Sequence, residues 1–388
     1  MRRWSDIATM TERQAVTDAA RNLLTTPRYV VGLLAVLALA FVPGQVDTIY
    51  VIKFTSALYF AMFVISWDFV SGYTNQVSFG HTFFFAIGGY TTSVLNLDLG
   101  VDPVLSIPIG AMLAGVGGLL LALPAIRVRG HYLALLTLMA PLILERLFNV
   151  FSDTFGGQTG LPQPETVLTG DSYVATLELN YYLAYVLFVV ILSFAFLVTR
   201  SDIGKVFTAI REDEDAVAAA GINTTKFKLF AFVTSAVMGG LAGAFLVHSP
   251  VGSASPSQLL ALVVMIDILI VSIIGGLGTI VGPALGGFSL FMLRDYLSNM
   301  EQALPVVDLT VAEVNLILFY ALALVLLFFL PSGLLPWLVR LGRRVLSIFP
   351  GRQPNVGTDE GRETDRPINA FRKRLSDDRP ATEDDDNE

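Results

Sequence analysis

Residues 201–228 read Ser201-Asp-Ile-Gly-Lys-Val-Phe-Thr-Ala-Ile-Arg-Glu-Asp-Glu-Asp-Ala-Val-Ala-Ala-Ala-Gly-Ile-Asn-Thr-Thr-Lys-Phe-Lys228, and strongly apolar segments flank them on both sides. Ile203, Val206, Phe207 and Ile210 recur at i, i+3, i+4 and i+7, which places them on one stripe of a short helix. Ser201 or Asp202 suits its N-cap. Four acids, Glu212 to Asp215, then open a second short helix, where the macrodipole favours negative charge. Alanines fill that helix, and Gly221-Ile222 reads as its C′/C″ stop. Helices this short are marginal in water unless they pack on something. The pair predicts a docking element between membrane segments; an ordinary solvated connector is the alternative.

Composition agrees with a membrane setting. The 388 residues are 54% hydrophobic and 15% charged, with a mean hydropathy of +0.64. Soluble domains carry about 25% charged residues, and apolar runs of spanning length recur here, so the chain reads as polytopic. The arginine-bearing N-terminus shows no cleavable leader pattern. With no cysteine, disulfides, thiolate metal sites and thiol nucleophiles are excluded. Much of the net charge of −8 comes from a tail ending Glu383-Asp384-Asp385-Asp386-Asn387-Glu388. That acidity suits a salt-rich cytoplasm of the halophile kind, where screening weakens self-repulsion.

The expected fold is all-α, with about ten transmembrane helices and a cytoplasmic coupling loop at 201–228. A polar tail (1–28) precedes the membrane domain (29–345), and an acidic, disordered tail (346–388) follows it. The spans fall near 29–42, 49–70, 77–95, 103–123, 131–148, 180–199, 229–248, 259–274, 279–293 and 313–330. The first is short, and a glycine turn alone joins the eighth and ninth, which leaves a re-entrant segment as an alternative. Trp337, Arg340, Arg343 and Arg344 mark a juxtamembrane helix. With a cytoplasmic N-terminus, all but three of the 25 Lys and Arg lie inside, as the positive-inside rule asks. The three others, Lys53, Arg146 and Arg294, sit near outer span ends, where long side chains snorkel. Both termini and the 201–228 loop are thereby cytoplasmic, in a multi-pass protein of the cell membrane.

Nothing in the chain reads as catalytic. His81, His131 and His248 have no metal-ligating spacing, and no His-Glu-x-x-His or Gly-x-x-x-x-Gly-Lys-Ser/Thr occurs. If ATP drives this protein, a separate subunit binds the nucleotide. Ionisable residues within the spans are functional candidates: Asp68, Asp267, and Glu145 with Arg146, the last two reading better as an interfacial pair. Two polar, glycine-bearing breaks stand out. One runs Gly72 to His81 and contains Asn75, Gln76 and Ser78; the other is Gly275-Gly276-Leu277-Gly278-Thr279. Irregular backbone at membrane depth is tolerated where it lines a cavity or is buried in protein. Interrupted helices in opposite halves of a chain point to a translocation path. Asn75, Gln76, Ser78, His81, Asp267, Gly275, Gly276 and Gly278 are the pathway candidates.

The ordered set of these motifs resembles the permease subunit of branched-chain amino acid ABC importers, the LivM type. The residues that carry it are Gly72-Tyr73-Thr74, Ser78-x-Gly80-His81, Gly88-x-Tyr90, Arg127-x-Arg129-Gly130-x-Tyr132, Thr154-x-Gly156-Gly157-x-x-Gly160-Leu161, Ala209-Ile210-Arg211-Glu212-Asp213-Glu214-x-Ala216, and Gly275-Gly276-Leu277-Gly278-Thr279 with Gly282-Pro283. The resemblance implies a non-catalytic subunit that holds no cofactor of its own. It would work with a homologous permease subunit, two ATP-binding subunits that hold ATP and Mg, and an extracellular substrate-binding protein. It also gives residues 201–228 a role, since similar permeases carry a Glu-Ala-Ala-x-x-x-Gly loop that sits in a groove of the ATPase. The matching positions here read Asp215-Ala216-Val217-x-x-x-Gly221, a degenerate version. The ATPase-coupling residues it implies are Arg211, Glu212, Asp213, Glu214, Asp215, Ala216 and Gly221. A permease for urea or short amides looks similar at the same motifs, and an ion-coupled secondary transporter using Asp68 and Asp267 is the alternative of a different class.

Overall fold

The computed structural model describes residues 27–128, 130–302, 310–330, 333–335 and 337–338. Arg129, Arg340, Arg343, Arg344, most of the N-terminal tail and the acidic C-terminal tail lie outside the described residues. The regular elements described are helical: α1 Pro27–Leu39, α2 Thr48–Thr74, α3 His81–Leu99, α4 Pro103–Ala125, α5 His131–Val150, α6 Ser152–Phe155, α7 Tyr173–Arg200, α8 Asp202–Glu212, α9 Glu214–Ala219, α10 Thr224–Val247, α11 Pro256–Leu259, α12 Leu262–Gly276, α13 Val281–Ser298 and α14 Asn315–Phe329.

A helix lies on each of the ten apolar segments. Six are long and apolar enough to cross a membrane by length and composition: α2, α4, α5, α7, α10 and the α11–α12 stretch. Several boundaries move from their expected places. The third helix starts at His81, because Asn75 takes a left-handed conformation (φ 56°, ψ 25°) and stops α2, and an irregular stretch follows. Helix α7 starts at Tyr173, seven residues before the expected 180, where Ser172 Oγ accepts from Ala175 N at 3.1 Å and caps it. The eighth segment is broken into α11 and α12 at Leu260 and Ala261.

Helix α2 is the central post. It is buried along most of its length and packs against α7, α8, α10, α12 and α13. Beside it α3, α4 and α10 form a tight trio in which Gly88, Ala114 and Gly240 let backbones approach closely. Helix α1 is described over 13 residues, and its end is closed by another helix: Tyr181 and Tyr185 of α7 donate to the carbonyls of Leu39 (2.5 Å) and Val36 (3.1 Å). Both belong to the last turn, whose carbonyls have no i+4 donor within the helix; Leu39 O also accepts from Val42 N at 3.3 Å.

The 201–228 segment and the breaks after α2 and α12 share one side of the bundle, called here the loop face. At the other end, residues 156–172 form a strap laced to α3, α7, α10 and the segment after α10. Leu161 N donates to Ala254 O (2.8 Å), Gln163 Nε2 to Val247 O (2.9 Å), Glu165 N to Asn96 Oδ1 (2.9 Å) and Asn180 Nδ2 to Leu168 O (2.8 Å). The expectation that Lys53 and Arg294 snorkel is corrected. Lys53 pairs with Asp295 at 2.7 Å and Arg294 pairs with Asp267, so each finds a carboxylate inside the protein.

Candidate functional site

The two glycine-bearing breaks meet at one carboxylate. Asp68 is fully buried in α2, and 210 residues further along the chain Gly278 N donates to its Oδ1 at 2.7 Å. Ser272 Oγ adds a longer bond to the same oxygen (3.4 Å), and Ile280 N donates to Oδ2 at 3.2 Å. Asp68 thus holds the end of α12 and the start of α13, where backbone N–H groups and the helix dipole favour an anion. Gly72 and Gly278 are in backbone contact. A Cβ on Gly72 would lie 2.7 Å from Gly278 N, and one on Gly278 would lie 2.8 Å from Gly72 O. Between Gly278 and α13, Ile280 sits at φ 58°, ψ −54°, with Val281 N donating to Thr279 O at 2.7 Å. That is a positive-φ γ-turn centred on a β-branched residue, a strained geometry costing about 1–3 kcal/mol.

The loop face reaches this joint through Arg211. Its Nη1 donates to Gly72 O at 3.0 Å, satisfying one of the carbonyls left open where α2 stops. Helix α8 is seated by its apolar stripe, with Phe207 and Ile210 buried and Phe207 edge-on to Phe69 of α2 at 5.7 Å. Helix α9 follows immediately. Asp213 Oδ1 accepts from Ala216 N at 3.0 Å and caps it. Val217 is buried, and Glu214 pairs with the buried Lys228 of α10 at 2.5 Å. Its C-terminus is a Schellman turn: Ile222 N bonds Val217 O (3.3 Å), Gly221 N bonds Ala218 O (3.0 Å), and Gly221 has φ +83°. Among the residues expected to couple, Arg211 and Glu214 therefore turn into the bundle. Glu212, Asp213, Asp215, Ala216 and Gly221 are exposed.

The first break is built into the core. Ser71 Oγ donates to Gln76 O (3.0 Å) and accepts from Ser78 N (3.3 Å). Trp67 Nε1 donates to Ser78 O (2.7 Å), and Phe79 N donates to Thr137 Oγ1 (3.0 Å). Gln76 and Ser78 are buried, while Asn75 is exposed. His81 is fully buried, with Nε2 2.8 Å from Ser66 Oγ and its ring against Phe63 and Phe84. Ser235 of α10 donates to Ser66 O at 2.7 Å, so His81 marks the point where α2, α3 and α10 are tied together. Gly275 approaches the backbone of Gly282, which brings α12 and α13 together beside the break.

A cavity of about 290 Å³ lies away from this joint, between the first half of α2, α12 and the second half of α13. Phe60, Phe63, Val264, Leu290 and Phe319 give it apolar walls, and Asp267 and Arg294 supply charge. Among its lining residues Asp267 is the one expected on the pathway. Sequence reasoning did not anticipate Arg294, Tyr320, Lys228, Ser71, Thr137 or Ile280 in these roles. Lys228 carried a signal, since a cation beside an acidic turn invites pairing; the others depend on contacts between distant segments.

Broken helices stapled at their ends, and a surface helix pair wired to the staple, define a polytopic permease of the transport type. The chain belongs to the family described as branched-chain amino acid transport system / permease component, whose profile matches residues 49–330. It is 28% identical over 326 residues to the high-affinity branched-chain amino acid transport system permease protein LivM of Escherichia coli, covering 78% of this chain and 73% of that protein. A probable branched-chain amino acid transport permease protein LivM of Methanocaldococcus jannaschii is 25% identical over 273 residues, with 65% and 78% covered. The ribose import permease protein RbsC of Haemophilus influenzae is 25% identical over 223 residues, with 55% and 66% covered. No solved structure matches the chain.

Proposed function

We propose that this chain is the membrane subunit of an ATP-driven importer of branched-chain amino acids. It pairs with a homologous permease and two ATP-binding subunits, which hold ATP and Mg, and an extracellular binding protein delivers the substrate. The 201–228 loop and both termini are cytoplasmic, and α1, α3, α13 and α14 complete ten crossings with the six longer stretches. In this reading the exposed face of α9, from Asp215 to Gly221, seats in the ATPase, and Glu212 and Asp213 meet basic residues there.

One observation carries the coupling reading: Arg211, one turn before α9, bonds the Gly72 carbonyl at the joint of both broken helices. A displacement of α8 and α9 on ATP binding therefore pulls on α2, and through Asp68 on α12 and α13. Packed helices with two discrete arrangements switch access in this way. In coupling, the chain's own work is mechanical: Asp68 holds the joint, Arg211 transmits to it, and Gly221 ends the docking helix sharply.

The test uses the full complex reconstituted in vesicles, with uptake and ATP hydrolysis followed together. Replacing Arg211 by alanine is expected to cut leucine uptake at least tenfold while hydrolysis continues. Uptake at the wild-type rate in that variant sinks the coupling role. Uptake that survives removal of the ATPase but collapses with the ion gradient sinks the importer reading itself. Orientation is checked separately: the chain has no cysteine, so single cysteines at Thr225 and Thr159 report cytoplasmic and external labelling on a clean background.

A further inference from the structure

We infer that the Asp267–Arg294 pair is the substrate-reading element of the cavity, a site built for a free α-amino acid with an apolar side chain; this rests on the importer reading above. The site lies toward the end of the bundle opposite the loop face: Leu246 near the end of α10, Ser257 and Gln258 just before α12, and Arg294 near the end of α13 line it together with Asp267. A volume of about 290 Å³ sits at the bottom of the range of ~300–1,000 Å³ for small-molecule pockets. That suits a metabolite of amino-acid size and is too small for a peptide.

The two charged groups are held differently. Asp267 is 2% exposed, and Tyr320 donates to its Oδ1 at 2.9 Å, so the carboxylate is fixed from α14. Arg294 donates to Oδ2, and its side chain is 34% exposed on a long flexible stem. The carboxylate is stationary and the guanidinium can swing. Phe60, Phe63 and Phe319 stand around the pair as an apolar wall.

Charge accounting then selects the ligand. Empty, the site is neutral because its acid and base satisfy each other. Separating them with a ligand that carries one charge leaves a buried charge unpaired, which is strongly unfavourable. A zwitterion avoids that cost: its ammonium takes Asp267, its carboxylate takes the displaced guanidinium, and the walls receive the alkyl side chain. A neutral sugar or amide offers neither charge, so it cannot take up both members of the pair, even though Ser56, Ser257 and Gln258 also line the cavity. Discrimination of this kind rests on leaving the site's polar groups unpaired with the wrong ligand.

The experiment measures equilibrium binding of radiolabelled leucine to the full permease–ATPase complex in nanodiscs, without the binding protein. Leucine is expected to bind saturably and to be displaced by isoleucine and valine. 3-Methylbutylamine and 4-methylpentanoate, each carrying half of the zwitterion, should compete at least tenfold more weakly, and ribose should not compete. These arms need no mutant. The double variant Asp267→Asn with Arg294→Gln removes both charges together, so no buried charge is stranded, and it should weaken leucine binding at least tenfold while ATP hydrolysis is retained. Competition by either half-analogue as strong as that by isoleucine or valine overturns the site. So does an absence of saturable binding to the wild type, or unchanged leucine binding by a double variant that still hydrolyses ATP. Failure of ATP-dependent leucine uptake by the wild-type complex overturns the importer reading instead, and the binding measurement stands apart from it.

Discussion

Two buried aspartates in this bundle are satisfied in opposite ways. Asp68, on the loop face, has backbone N–H groups from Gly278 and Ile280 on its two oxygens. Asp267, at the cavity, is met by a tyrosine hydroxyl and a half-exposed arginine. Backbone donors cannot leave without unmaking α12 and α13, whereas side-chain donors can turn away and return. A carboxylate held by main chain is a joint; a carboxylate held by a swinging cation can exchange partners. The same residue type, each on an apolar helix, thus serves architecture at one level and recognition at another.

The largest effect that tests this contrast is expected at Asp68. Replacement by alanine strands the two backbone donors, at about 1–3 kcal/mol each, and should sharply reduce the monodisperse, folded fraction after detergent extraction. If Asp68→Ala extracts and unfolds like the wild type, the carboxylate is not a joint. Next comes Lys228. Removing it takes one charge-assisted bond from Glu214, about 1.5–3 kcal/mol, while the Thr224 hydroxyl stays on its Oε1; limited proteolysis should then cut near α9 faster while the bundle stays intact. Gly221→Val is smaller. Open space surrounds the position, so the penalty is the left-handed backbone alone, about 1–2 kcal/mol. It should lower uptake per ATP hydrolysed with no loss of inserted protein, and unchanged coupling would remove Gly221 from the docking helix's function. The smallest expected effect is at Lys205. Its pair with Asp202 at 2.8 Å is exposed on both sides, and surface pairs of this kind contribute little. Lys205→Ala should leave insertion, hydrolysis and uptake unchanged.

Much of this was legible in the sequence wherever the cause is local. Apolar runs located the helices, the Ile203-to-Ile210 stripe gave the seating of α8, and Gly221-Ile222 gave the Schellman turn. The glycine breaks were visible too. Their meeting at Asp68 was not, because a contact across 210 residues leaves no periodicity to read. The same reason hid Arg294: a lone arginine near a span end fits snorkelling as well as pairing, and only the packing of α12 against α13 decides between them. The start of α3 was misplaced because Val77 and Phe79 continue an apolar pattern while their backbone is held irregular by Ser71, Trp67 and Thr137. Side-chain bonds from other helices overrode the local signal.

The tyrosine closure of α1 has a consequence for how the protein is made. Leu39 finds its partner in Tyr181, 142 residues downstream. At ~5–20 residues synthesised per second, the first helix waits roughly 7–30 s on the ribosome before its end can be sealed. During that interval the end of α1 has only the local bonds from Ala40, Phe41 and Val42 to the carbonyls of Leu37, Ala38 and Leu39. Its final depth in the bilayer is therefore expected to be set late, when α7 enters. Stalled chains ending before residue 173 should leave a cysteine at Val42 more accessible to labelling than chains released after residue 200. Equal labelling in both would mean that α1 settles without waiting for its tyrosines.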